Sequence, residues 1–276
     1  MGGTGSTSRG AAELTGQVRS AYEAATQSWS AGPEAVYAAL AAALVCQAAR
    51  FVSGARVLDV GAGTGVVGRA ALAAGAAEVV AADLAVGLLR QARLPGAGMP
   101  ALQPLVAEAA ALPFRDGSFA LVAAGFSLTH VGNLSAALRE SRRVGQVLAA
   151  STFAPGWTHP AKVAVDAVLT RFGYRAPSWY LTFKHDTEPA FSDAGLFSRL
   201  AIAAGYRDCE SMVLAVPTGL SAASELAAWR LGMAHVAPFV RTLDPARQRQ
   251  LRQSAEAAIS GAEPLVVSMQ VYLAVS

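Results

Sequence analysis

The chain has 276 residues, a formal net charge of +3, 53% hydrophobic and only 15% charged residues. That length and apolar content support a large packed core and exclude a disordered chain, and the small charge excludes a strongly basic nucleic-acid stripe. The two cysteines, Cys46 and Cys209, are far apart and match neither a zinc spacing nor a disulfide framework, which suits a reducing, cytoplasmic setting.

In chain order, residues 1–12 are polar and glycine-rich and read as a disordered tail without a signal peptide. Residues 13–30 read as a helix with Tyr22 and Trp29 on one face, and Gly32-Pro33 starts a second helix running to about Phe51. From Ala55 short apolar runs alternate with amphipathic ones. Strands are expected near 55–60, 78–82, 102–107, 119–124 and 147–152, and helices near 66–74, 86–93 and 133–143. Such alternation predicts an α/β fold: a mostly parallel, Rossmann-like seven-stranded sheet with helices on both faces. In such sheets the ligand sits beyond the carboxyl ends of the strands, where Asp59, Asp83, Glu108 and Ala124 fall.

After Phe153 the alternation stops. Residues 154–192 are rich in aromatics and read as an inserted helical cap. A helix at 194–204, a strand near 209–216 and a final strand at 265–274 return to the core, which resumes over 193–276. Two helices, 221–236 and 244–259, form a lid at about 217–262. The core with its N-terminal helices occupies 13–153. Arg139, Arg142 and Arg143, like Arg247, Arg249 and Arg252, read as solvated helix faces.

The most informative segment is Val57-Leu-Asp-Val-Gly-Ala-Gly-Thr-Gly65, a buried strand entering a glycine turn and then a helix. Glycines let the backbone approach a ligand, and the first N–H groups of the helix point into the turn. Asp59 favours a ligand with a positive group over a pyrophosphate. Together with Asp83-Leu84, with Glu108-Ala109 leading into Leu112-Pro113-Phe114, and with Phe119 to Val131, this segment resembles the ordered motifs of class I S-adenosylmethionine-dependent methyltransferases. The resemblance extends to the small-molecule branch of ubiquinone, menaquinone and natural-product biosynthesis.

The resemblance implies S-adenosylmethionine as cofactor and S-adenosylhomocysteine as product. It implies a cofactor site of Tyr22, Asp59, Gly61, Ala62, Gly63, Gly65, Asp83, Leu84, Glu108, Ala109 and Ala124, with Asp83 on the ribose and Glu108 at the adenine edge. His130 follows the fourth strand, where it either accepts a proton from the acceptor or bonds a backbone carbonyl; His159, His185 and Tyr180 are further candidates. Trp29, Phe126, Trp157, Trp179 and Tyr180 would meet a hydrophobic or aromatic acceptor, and His235 reads as structural or solvent-facing. The expected partner is a small-molecule methyl acceptor, with no nucleic acid, membrane or metal, in a monomer or homodimer.

Three other readings compete. Gly63-Thr-Gly-Val-Val-Gly68 matches the dinucleotide fingerprint, but starts two residues late after a strand ending at Val60. A methyltransferase-like fold can also catalyse a cyclisation without methyl transfer, or serve as a non-catalytic binding subunit.

Overall fold

The computed structural model describes residues 4–92 and 102–276. Two helices, α1 (Thr4–Ala31) and α2 (Pro33–Gln47), meet at 88°. Helix α1 begins well inside the stretch expected to be a disordered tail, so residues 4–12 are helical; Met1 to Gly3 of that expectation lie outside the described residues. A short 3-10 turn (Ala49–Phe51) then leads into the alternating region: β1 (Arg56–Val60), α3 (Val66–Ala73), β2 (Glu78–Asp83), α4 (Val86–Ala92), β3 (Gln103–Val106), β4 (Phe119–Gly125), α5 (Leu134–Val144) and β5 (Gly145–Phe153). Arg93, the expected last residue of α4, lies outside the described residues. Downstream come α6 (Pro160–Arg171), α7 (Ser178–Thr182), a π turn (Phe183–Thr187), α8 (Glu188–Ser192), α9 (Ala194–Ala203), β6 (Asp208–Pro217), α10 (Ala223–Leu231), α11 (Ala237–Thr242), α12 (Pro245–Ala258) and β7 (Val266–Val275).

The strands form one sheet in the order β3-β2-β1-β4-β5-β7-β6. The first five are parallel, and β7 inserts antiparallel between β5 and β6. The order reverses between β1 and β4, both of which end at the same edge, so a crevice opens there. Helix α5 runs directly into β5, ending at Val144 where the strand starts at Gly145.

Side chains alternate across the sheet. Val57, Leu121, Ala123, Val147 and Ala149 face one apolar cluster, and Leu58, Val60, Val122, Ala124, Leu148 and Ala150 face the other. Helices α2, α3, α6, α10 and α12 cover the first face; α5 and α9 cover the second. The expected cap therefore divides. Val165, Val168 and Leu169 of α6 join the first cluster beside α10 and α12, and Phe191 of α8 joins the second, against Phe197 and Tyr272. Only α7 and the π turn remain over the strand ends, where Phe183 stacks on His130. Among the described residues no single helix is long and apolar enough to cross a membrane.

Candidate active site

Two cavities lie beyond the carboxyl ends of β1, β2 and β4. The first encloses about 1110 Å³, open mouth included, and surrounds the glycine turn. Gly61 and Gly63 adopt φ of +68° and +55°, the left-handed region that an L residue enters only at a cost. The turn is held from both sides. Asp83 Oδ2 accepts from Gly63 N (2.8 Å) and Asp83 Oδ1 from Ala85 N (2.8 Å). Arg69 donates to Thr64 O (2.5 Å) and to Glu34 Oε1 of α2 (2.6 Å), and Ser127 Oγ donates to Val60 O (2.6 Å).

Tyr22, Gly61, Ala62, Gly63, Asp83, Leu84, Glu108 and Ala109 all line this first cavity, as do Trp29, Phe126 and His130. Three expected members do not. Asp59 is buried behind the turn, because strand alternation points it toward α3, where Oδ2 accepts from Gly68 N (2.9 Å). Its other oxygen has no hydrogen-bond partner among the described residues, and burial pushes its pKa up to about 7. Gly65 sits at the N-terminus of α3 with its open side toward Leu102 and Ala92. Ala124 points into the apolar cluster on the α5 side. The two strand-tip acids thus have backbone partners of their own, and each takes up an N–H that a bound phosphate would need.

The second cavity encloses about 1340 Å³ and opens between α7, α10 and the end of β5. Trp157, Trp179 and Tyr180 line it, whereas Trp29 reaches only the first cavity. Tyr22, Tyr37, Phe126 and His130 line both and form the wall between them. Phe126 is the one described non-glycine residue in the left-handed region, with φ +56°. That turn sends its ring between Tyr37 (centroids 5.3 Å) and Phe153 (4.8 Å). Strained backbone of this kind persists only where its surroundings hold it, and it concentrates at ligand sites.

His130 is half-buried in the wall between the two cavities. Its ring stacks on Phe183 at 4.4 Å, meets Tyr22 edge-on at 5.8 Å, and lies 3.2 Å through Nδ1 from Thr129 Oγ1. Burial pushes its pKa down to about 4, a hydrogen bond to the Phe126 carbonyl acts the other way, and Lys184 adds to the depression. The imidazole is therefore neutral at neutral pH, but its proton affinity is far below that expected of an unperturbed histidine. Burial likewise raises the pKa of the Tyr22 hydroxyl.

His159 accepts from Ala161 N (3.2 Å) at the start of α6, and neither it nor His185 lines either of these two cavities. His235 is not solvent-facing. It is buried under Tyr180, with parallel rings 3.9 Å apart, and lines the second cavity. Among the described residues no group of three or more His, Cys, Asp or Glu side chains could hold a metal ion.

Sequence reasoning missed Tyr37, whose place on an alanine-rich helix gives no signal, and it read Arg143 as a solvated residue. Arg143 instead donates to the Leu112 and Phe114 carbonyls (2.8 and 2.6 Å) and pairs with Glu140 and Asp116. Glu140 also accepts from Leu112 N (2.8 Å). This clamp fixes the Leu112-Pro113-Phe114 segment on α5 and so positions Glu108 and Ala109. Arg142 donates to Gly205 O (2.9 Å).

Residues 58–147 match the family model described as a methyltransferase domain. The chain is 38% identical over 128 residues to a demethylmenaquinone methyltransferase of Clavibacter sepedonicus, covering 46% of this chain and 50% of that protein. It is 37% identical over 145 residues to a malonyl-[acyl-carrier protein] O-methyltransferase of Halorhodospira halophila, covering 51% and 48%. A third relative, a demethylmenaquinone methyltransferase of a Parafrankia species, is 35% identical over 181 residues, covering 58% of this chain and 69% of that protein. The chain thus spans about half the length of the first two curated relatives and more than two thirds of the third. Its fold resembles the solved structure of a protein from Anabaena variabilis, described as a methyltransferase candidate of an antibiotic biosynthesis pathway. The TM-score is 0.59 at 15% identity, covering 83% of this chain and 96% of that one, a likeness of fold alone. On the Parafrankia relative and the motif region together, this chain belongs to the class I S-adenosylmethionine-dependent methyltransferases.

Proposed function

We propose that the chain transfers a methyl group from S-adenosylmethionine, bound in the first cavity, to a small hydrophobic or aromatic acceptor bound in the second. The observation that carries this reading is the shared wall of Tyr22, Tyr37, Phe126 and His130. A donor on the glycine-turn side and an acceptor under the aromatic roof would meet there.

The first cavity suits the cofactor. Asp83 keeps lone pairs for ribose hydroxyls, Glu108 lines the far side, and Leu84 and Ala109 offer an apolar slot for an adenine. A dinucleotide fits less well, because the amides of Gly63 and Gly68 already donate to carboxylates. When bound, the cofactor supplies an electrophilic methyl on a sulfonium, which departs as a neutral thioether and needs no acid. The chain's own work is to align the acceptor and exclude water. Tyr22, Trp29 and Tyr37 close the α1–α2 side, and Trp179 and Phe183 close the other. With its low proton affinity, His130 fits orienting the acceptor better than taking its proton.

Demethylmenaquinone, the substrate in the names of two relatives, is the first acceptor to try. Calorimetric titration with S-adenosylmethionine and NAD separately tests the cofactor. Micromolar binding of the former, lost in Asp83→Ala, is expected, and binding of NAD alone overturns the reading. A turnover assay for S-adenosylhomocysteine then separates methyl transfer from a cyclising or non-catalytic role.

A further inference from the structure

We infer that the second cavity takes an acceptor carrying a carboxylate, anchored by Arg230, Trp229 and His235 at the end away from the glycine turn; this rests on the cavity being the acceptor site. None of these three residues lines the first cavity, which surrounds the glycine turn.

Arg230 is 5% exposed and lines the cavity. Its Nε and Nη2 donate to Asp166 Oδ1 and Oδ2 at 2.7 and 3.1 Å, and Nη1 makes no hydrogen bond among the described residues. Lys162 also lines the cavity and draws on the same carboxylate, with Nζ 3.1 Å from Asp166 Oδ2. Two cations thus share one anion. The remaining charged lining residues, Lys184 and Glu188, pair with each other. The cavity therefore keeps one formal positive charge, partly withdrawn from water, where a charge-assisted bond is strong.

Two further buried polar atoms on residues lining the cavity lack partners among the described residues. Trp229 Nε1, a donor only, and His235 Nε2 make no hydrogen bond, although both residues line the cavity and are at most 5% exposed. Unpartnered buried groups are costly, and these two belong to residues that line the same cavity as Arg230. A carboxylate would accept from all three, while Tyr180, Trp157 and Trp179 hold a flat apolar body beside it.

The test uses 2-naphthoate and its neutral methyl ester as probes, titrated calorimetrically into the full chain with and without S-adenosylhomocysteine. The acid is expected to bind about tenfold or more tightly than the ester. Arg230→Gln should abolish that preference. Trp229→Phe, which keeps the ring and removes the donor, should reduce it several-fold. Circular dichroism checks both variants for folding. Equal affinities, no binding of the acid, or a preference that survives both substitutions overturns the inference. A preference for the acid in a chain that ignores S-adenosylmethionine would instead sink the proposed methyl transfer and leave the anchor standing. Methyl transfer to neutral acceptors alone would do the reverse.

Discussion

Replacing Gly61 by Ala tests how the glycine turn is built. Gly61 has φ +68°, and a Cβ there would stand 2.3 Å from Ser127 Cβ and 2.9 Å from Ser127 Oγ. The left-handed backbone costs an L residue about 1–2 kcal/mol. Ser127 must also move by more than an ångström, which breaks its 2.6 Å bond to Val60 O. Overpacking adds about 1–3 kcal/mol and the lost hydrogen bond about 1 kcal/mol. Gly54 is the matched control, since its φ is +67° and nothing lies within 4 Å of an added Cβ. Gly54→Ala bears the backbone cost alone, and the unfolded-chain effect of Gly→Ala is common to both. Urea denaturation should therefore show Gly61→Ala less stable than Gly54→Ala by about 2–4 kcal/mol. Because Ser127 adjoins Phe126 on the shared wall, binding of S-adenosylmethionine should also fall in Gly61→Ala and not in Gly54→Ala. Equal stability of the two variants, within about 0.5 kcal/mol, would refute the steric argument.

Arg143→Met releases the Leu112 and Phe114 carbonyls and leaves Glu140 with only the Leu112 amide. A loss of about 2–4 kcal/mol is expected in urea denaturation, with weaker cofactor binding through Glu108. Asp59 has a folded-state pKa raised to about 7, so the native state holds a proton that the unfolded chain releases near pH 4. Its effect is to lower stability as pH rises from about 4 to 7, and Asp59→Asn should flatten that fall, by about 1–3 kcal/mol, in denaturation curves at pH 4, 6 and 8. His130, with a pKa near 4, is neutral from pH 6 to 8. The pH–rate profile should then lack a limb near 6.5, and a limb there that vanishes in His130→Asn would show the depression to be absent in the working enzyme. Tyr180→Ala uncovers His235 and opens the second cavity, so acceptor KM should rise tenfold or more while cofactor affinity changes little.

The parallel core was legible in the sequence because its signals are local. Short continuous apolar runs such as Val57 to Val60 and Leu121 to Ala124 declare strands buried on both faces. The glycines of the first turn, the acids Asp59 and Asp83 near the ends of β1 and β2, and the Leu112-Pro113-Phe114 segment mark the strand ends by type and order alone. What the sequence could not decide is where each strand-tip side chain points and what meets it. Asp59 and Ala124 look equivalent to cavity residues in one dimension, yet alternation turns one toward α3 and the other into the core. The aromatic stretch after Phe153 announced a cover over the strand ends, but burial of α6 beside α10 and α12 divided it. Arg230 and Asp166 lie 64 residues apart, and Arg143 and Leu112 lie 31 apart. No periodicity links such pairs; they meet only when helices pack on the sheet, which brings distant segments within hydrogen-bond reach and, for Arg230, withdraws the charge from water so that a fixed partner is needed.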